Sequence, residues 1–244
     1  TVKGDLGQSA AGKTDKNGEL TVPEVEQTER HGIYIVGYTD GTFGPSRSMT
    51  RAEAAAIFAR LLAEKNGDTI STAANTKFAD IPAHAWYSGY VKYLSNNGIT
   101  YGKSKTIFAP NDAITRAEFT TMAVRFFDVY GDGDAEIMEQ FSGFNDVSSG
   151  YWAAEYIKYA ALHGWINGYG DGSFHADREI NRAEVVTIVN RLLGREADED
   201  YIADNLRKLN TFPDVSRKHW AYYAVMEAAN AHTAVLDESE SWSK

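Results

Sequence analysis

The chain has 244 residues, a net charge of −10, no cysteine, and 43% hydrophobic against 24% charged residues. That length is enough to bury a core, and the missing cysteines exclude disulfides, thiolate catalysis and cysteine-based metal sites together. The acidic balance, with no basic stripe to neutralise phosphates, argues against nucleic acid as a partner, and no apolar run approaches the roughly 18–20 residues of a membrane-spanning helix.

Residues 1–30 show no repeat pattern and read as a polar linker or a loosely docked arm. Within them, Lys13 to Glu24 match an EF-hand loop at positions 3, 5, 6 and 12. Lys13 at the first position replaces a ligand by a positive charge, so calcium is not expected there. From Gly37 onward a pattern begins: a glycine, an aromatic six residues on, then Arg-Ala-Glu. It occurs at Gly37/Phe43/Arg51, at Gly102/Phe108/Arg116 and at Gly168/Phe174/Arg182.

Each Arg-Ala-Glu opens a predicted amphipathic helix. Apolar residues at Ala54, Ile57, Phe58, Leu61 and Leu62 repeat with helical spacing, as do Phe119, Met122, Ala123, Phe126 and Phe127, then Val185, Ile188, Val189, Leu192 and Leu193. Thr50, Thr115 and Asn181 precede them as N-caps, with Glu53, Glu118 and Glu184 placed to complete capping boxes. Three helices with one apolar stripe each are expected to bury those stripes against one another.

A second pattern, Phe-x-Asp and then Trp, occurs at Phe78/Asp80/Trp86, Phe144/Asp146/Trp152 and Phe212/Asp214/Trp220. A shorter helix is predicted after each Trp, and Gly98 and Gly164 suit the positions just past two of them. Asp132-Gly133-Asp134 reads as a plain turn. The chain thus starts with a second half (31–66), carries two whole repeats (78–130 and 144–194), and ends with a first half (212–244) that completes the first. An internal repeat of this kind sets the architecture. The split first repeat calls for a closed pseudo-threefold array, in which the C-terminal segment folds back beside the N-terminal half.

Phe-x-Asp-Val with His-Trp, Gly-Tyr-x-Asp-Gly-x-Phe and Ile-Thr-Arg-Ala-Glu together resemble S-layer homology repeats over about residues 31–235. The resemblance implies a mainly α fold: a three-prong spindle around a central three-helix bundle, all one structural domain. It further implies a non-catalytic anchor of a secreted or S-layer protein, held at the extracellular face of the cell wall. The implied ligand is a secondary cell-wall polysaccharide, often pyruvylated, bound in grooves between prongs, with the motif Arg and Trp as groove residues.

Candidate binding residues are therefore Arg51, Arg116, Arg182, Trp86, Trp152, Trp220, Gly37, Gly102 and Gly168. A cation in the first turn opposes the helix dipole, so the three arginines point to an anionic partner, aided by helix N–H groups. The competing reading is internal ion pairs, for example with Asp80, Asp146 and Asp214. The tryptophans either stack on sugar rings or anchor the shorter helices, and the glycines serve backbone geometry or close glycan approach. The second loop, Gly102-Lys103-Ser104-Lys105-Thr106, has lost its Tyr and Asp-Gly, which leads to the expectation that Arg116 matters least. The capping glutamates are explained without catalysis. The six histidines, His31 and His232 among them, show no metal-ligand spacing, so neither metal nor cofactor is expected. The module is expected to be monomeric. Two other function classes remain: an acid/base enzyme acting on wall glycans, and a lattice-forming or protein-interaction module.

Overall fold

A computed structural model describes residues 13–14, 20–21, 28–131, 141–236 and 240–243. Most of the EF-hand-like segment and the Asp132-Gly133-Asp134 turn lie outside the described residues. The protein is mainly helical. Three longer helices, α1 (Arg51–Asn66), α3 (Arg116–Tyr130) and α5 (Arg182–Leu193), alternate with shorter ones, α2 (Ser88–Asn96), α4 (Ala154–Leu162), α6 (Glu199–Asn205) and α7 (Tyr222–Ala229).

Local sequence sets the ends of the long helices. At each start the N-cap side chain accepts from the backbone of the third helical residue, while that residue's carboxylate accepts from the cap N–H, giving three complete capping boxes. Gly67 and Gly194 close α1 and α5 in the left-handed conformation, at φ 68° and 65°. The ending of α3 differs, with Gly131 extended at φ −70°.

The long helices are buried more widely than one stripe. Between Arg51 and Ala63 every residue except Glu53 and Arg60 is buried, and between Arg116 and Phe126 only Glu118 and Arg125 escape. Alanines at 55, 56 and 59 let neighbouring elements close in on the faces of α1 that a simple stripe leaves open. α1 packs on α3 and α3 on α5, with the Phe58 ring 5.3 Å from Phe119 and 4.9 Å from Phe126. Each long helix also takes a shorter partner: α2 against α1, α4 against α3, and α7 against α5.

Backbone hydrogen bonds link the residues ahead of the three caps in a cycle. Met49 N–H donates to the Ile180 carbonyl (2.9 Å), Ile180 to Ile114 (3.1 Å) and Ile114 to Met49 (2.9 Å). The first helical N–H groups are satisfied from neighbouring loops in the opposite sense: Arg51 to Asp112 O, Arg116 to Arg178 O and Arg182 to Arg47 O. The second ones, Ala52, Ala117 and Ala183, donate to Pro110, Ala176 and Pro45.

The Phe-x-Asp motif clamps a loop. Asp80 accepts from the N–H groups of Phe108 (2.9 Å) and Ala109 (2.6 Å), and Asp146 from Phe174 and His175 (both 2.7 Å). Asp214 does the same for Phe43 (2.9 Å) and Gly44 (2.7 Å), about 170 residues away in sequence. Phe212 lies against Phe43 with ring centroids 5.3 Å apart, as Phe78 lies against Phe108 (5.5 Å) and Phe144 against Phe174 (5.1 Å).

Strands bring the two ends of the described chain together. β1 (Lys13–Thr14) pairs antiparallel with β2 (Leu20–Thr21). β3 (Thr28–His31), β4 (His232–Leu236) and β5 (Glu240–Ser243) form an antiparallel sheet in that order. Thr28, Glu29 and Arg30 fall in the region read as linker or arm, but they are strand residues here; their side chains are polar and exposed, so no alternation marks them.

Candidate functional site

Three hollows lie where one long-helix N-terminus meets the loop of another unit. Arg51 sits with Gly102, Glu118 and Trp152, and Arg116 with Gly168, Glu184 and Trp220. Arg182 donates to Val36 and faces Glu53, two residues on the wall of a hollow that also holds Gly37 and Trp86. In that order the hollows measure about 90, 270 and 200 Å³. A larger hollow of about 500 Å³ is lined by Asp146, Tyr151, His175 and Arg178 and contains none of the repeated Arg, Trp or Gly residues.

The three arginines are interior residues, only 4%, 5% and 3% exposed. Each Nε donates to a backbone carbonyl of the loop it faces: Arg51 to Phe108 (2.7 Å), Arg116 to Phe174 (2.9 Å) and Arg182 to Phe43 (2.8 Å). Each guanidinium then meets the capping glutamate of the next long helix, Glu118 at 3.2 Å, Glu184 at 3.1 Å and Glu53 at 3.7 Å. The internal partners are therefore these glutamates; Asp80, Asp146 and Asp214 bind backbone instead. Burial lowers the pKa of Arg116 and of Arg182 from the usual guanidinium value. The helix N–H groups expected to aid an anion are not free, because loop carbonyls and cap side chains already hold them. Fixed acceptors, a loop carbonyl and the neighbouring helix's capping glutamate, make each arginine a rivet between units.

The tryptophans have the opposite character. Trp86, Trp152 and Trp220 are 54%, 56% and 65% exposed. Each lines a hollow opposite the glycine loop and the glutamate-bearing helix of another unit. Trp220 lies near-parallel to His219, and Trp86 meets Tyr87 edge-on.

The glycines answer to packing. A Cβ on Gly37 would lie 2.5 Å from the Phe212 ring, on Gly102 2.4 Å from Phe78, and on Gly168 2.5 Å from Phe144. The repeated Gly and the repeated Phe-x-Asp are thus one contact seen from two sides. Gly102 additionally has φ +80°.

The degenerate loop faces Arg51 rather than Arg116, because each loop is read by the arginine of a different unit. In the other two hollows a tyrosine ring lies over the arginine, Tyr38 4.6 Å from Arg182 and Tyr169 5.2 Å from Arg116. Lys103 stands at the matching loop position, its Nζ 3.4 Å from Asp112 and 3.9 Å from Glu118. Arg51, not Arg116, therefore faces the divergent loop.

A second arginine of each long helix was passed over. Arg60, Arg125 and Arg191 lie on the walls of the three hollows, the first two half-buried and the third exposed. Arg60 covers the Tyr90 ring at 5.1 Å, and Arg125 covers Tyr101 at 4.8 Å and Tyr156 at 5.0 Å. Each follows the motif arginine by nine residues and the capping glutamate by seven, two helical turns along one face. That constant spacing was the available signal.

A family model described as the S-layer homology domain matches residues 21–55, 77–120 and 143–186, half of the chain. Cell surface glycoprotein 1 of Acetivibrio thermocellus is 35% identical over 223 residues, 88% of this chain and 9% of that protein. The cellulosome-anchoring protein of the same organism is 30% identical over 233 residues, 95% of this chain and 49% of its own length. The surface-layer 125 kDa protein of Lysinibacillus sphaericus is 32% identical over 163 residues, 65% of this chain and 13% of that protein. The chain thus spans under half the length of these relatives.

Proposed function

Because the chain belongs to the S-layer homology family, a family of cell-surface anchoring domains, we propose that it fastens a larger protein to the bacterial cell wall by binding a secondary cell-wall polysaccharide in its three grooves. It works outside the cell, and no described helix is long and apolar enough to cross a membrane. The observation that carries the reading is the threefold recurrence of an exposed tryptophan opposite a helix face bearing one glutamate and one accessible arginine. An indole presents a flat apolar face suited to the C–H face of a sugar ring. A guanidinium beside it suits an acidic substituent such as a pyruvate ketal carboxylate, which it can grip bidentately. The module is non-catalytic in this reading, since each capping glutamate is occupied by its cap and by an arginine.

The same reading takes the fold as a three-prong spindle around a central bundle of α1, α3 and α5, with the first repeat split between residues 31–66 and 212–244. The cyclic hydrogen bonds of Met49, Ile114 and Ile180 support it, as does the Asp214 clamp. Within each groove the buried motif arginine shapes the site by fixing the loop and the glutamate, while Arg60, Arg125 or Arg191 meets the ligand. Gly37, Gly102 and Gly168 act through loop shape.

Retention on purified wall sacculi separates the parts. Replacing Trp86, Trp152 and Trp220 together by Ala, or Arg60, Arg125 and Arg191 together by Gln, abolishes retention while the helical circular dichroism spectrum stays unchanged. Chemical removal of the wall pyruvate weakens binding of the unaltered chain. Undiminished retention by both folded triple variants refutes the groove assignment, and retention on a protein lattice stripped of polysaccharide favours a lattice-forming role instead.

A further inference from the structure

The fold assembles three residues that no sequence spacing connects. His31 at the end of β3, Glu227 in α7 and His232 at the start of β4 are all buried and point at one another. His31 Nδ1 lies 3.2 Å from His232 Nε2 and 3.4 Å from Glu227 Oε1, and His232 Nε2 lies 3.3 Å from Glu227 Oε2. The Glu227 side chain is wholly buried, and neither of its oxygens has a hydrogen-bond partner among the described residues. An ionised carboxylate in that setting is costly unless a positive charge stands beside it.

We propose that His31, Glu227 and His232 bind one divalent transition-metal ion of the zinc type, which ties the first described strand of the sheet to the C-terminal helix and strand. Zinc holds nitrogen and oxygen ligands at about 2.0–2.1 Å, so the edges of a tetrahedral site measure about 3.3–3.4 Å. The imidazole–imidazole separation of 3.2 Å is close to such an edge, and the two rings face different oxygens of the Glu227 carboxylate at similar distances. The other nitrogen of each ring faces an oxygen outside the cluster, the side from which metal-bound imidazoles are usually held. His232 Nδ1 lies 3.0 Å from the Asn230 carbonyl, an acceptor only, which leaves Nε2 turned inward toward the cluster. His31 Nε2 faces the Glu29 carboxylate at 3.8 Å. Trp242 stacks flat on His232 at 3.8 Å and closes one side against water. Two imidazoles and one carboxylate favour zinc over calcium or magnesium, which prefer all-oxygen sets. The role is structural: the ion bridges chain positions about two hundred residues apart, and it lies outside the three grooves.

The test uses the 244-residue chain, stripped with chelator and dialysed, then titrated with zinc chloride and separately with calcium chloride. One zinc per chain is taken up, and the melting temperature rises by about 5–10 °C at free zinc near a hundred times the dissociation constant. Calcium produces no rise. Cobalt(II) bound in its place gives the intense visible absorption of a four-coordinate site. Glu227→Gln and His232→Gln each remove both the stoichiometric uptake and the shift. Absence of uptake by the unaltered chain overturns the site, as does uptake undiminished in both variants, which would assign the metal to surface imidazoles such as His84 or His219. Should either variant fail to fold, the cobalt spectrum of the unaltered chain decides, a weak six-coordinate spectrum counting against the proposal.

Discussion

Replacing Asp214 by Ala removes a single carboxylate near the C-terminal end, yet its effect should be felt in the N-terminal loop. The two oxygens accept from Phe43 and Gly44 at 2.9 and 2.7 Å. Hydrogen bonds to an ionised acceptor contribute about 1.5–3 kcal/mol each. Asp214 itself is exposed, so solvent competes for the carboxylate and the pair together is better put at about 1–3 kcal/mol. For a chain of this size that lowers the melting temperature by about 2–12 °C. The distinguishing readout is local. Hydrogen exchange at the Phe43 and Gly44 amides should quicken by roughly 5- to 140-fold, the same free energy expressed as a rate ratio. Asp80→Ala should do the same at Phe108 and Ala109, and Asp146→Ala at Phe174 and His175. If exchange at Phe43 and Gly44 is unchanged in a folded Asp214→Ala chain, the C-terminal segment does not complete the N-terminal unit.

Gly168→Ala places a methyl 2.5 Å from the Phe144 ring and should destabilise by about 1–3 kcal/mol in urea unfolding, whereas Gly170→Ala, with nothing near it, should shift the midpoint little; equal effects would contradict the packing account. Acid should weaken the fold through Asp146. Its burial raises the carboxyl pKa, but the Phe174 and His175 N–H groups outweigh this and hold it below the ordinary 3.8. The stability it contributes is then complete above about pH 4 and is lost as pH falls through the lowered folded value; Asp146→Asn should flatten that part of the stability curve, and an unchanged acid limb would refute the assignment. Ending the chain after Asn210 removes buried Tyr222, Val225 and Met226, each contributing about 1.5–3 kcal/mol, and should expose α1 to protease, while removing residues 1–12 should not; a truncated chain melting like the full one would refute the closed arrangement.

The elements that were legible in the sequence are those whose cause is local. Capping boxes at Thr50, Thr115 and Asn181 depend on residues three apart, and the positive-φ glycines at 98 and 164 follow their helices directly. The long-helix cores were legible because apolar periodicity reports burial. The wall of each groove was not, because it depends on which unit stands next to which. Sequence shows the divergent loop after Gly102 in the same repeat as Arg116, but the cyclic offset sets that loop against Arg51. The same offset hides Glu118, Glu184 and Glu53 as arginine partners. Strand β3 left no alternating pattern: its burial runs exposed, exposed, exposed, buried, and that one buried residue, His31, belongs to a cluster whose other members lie about two hundred positions away.

The cycle of Met49, Ile114 and Ile180 carries a consequence for how such a molecule can grow. In an open stack, each added repeat finds a waiting edge, and length is free to drift by single units. Here the third amide donates to a carbonyl of the chain that already holds the first, so no edge is left waiting. A fourth repeat would have to break one of these bonds and prise apart helix starts whose N–H groups are already held by neighbouring loops. On the proposed reading this fixes the number of grooves per module, and stronger attachment then comes from whole modules set side by side, or from clustering of the proteins they carry, with avidity replacing added contacts.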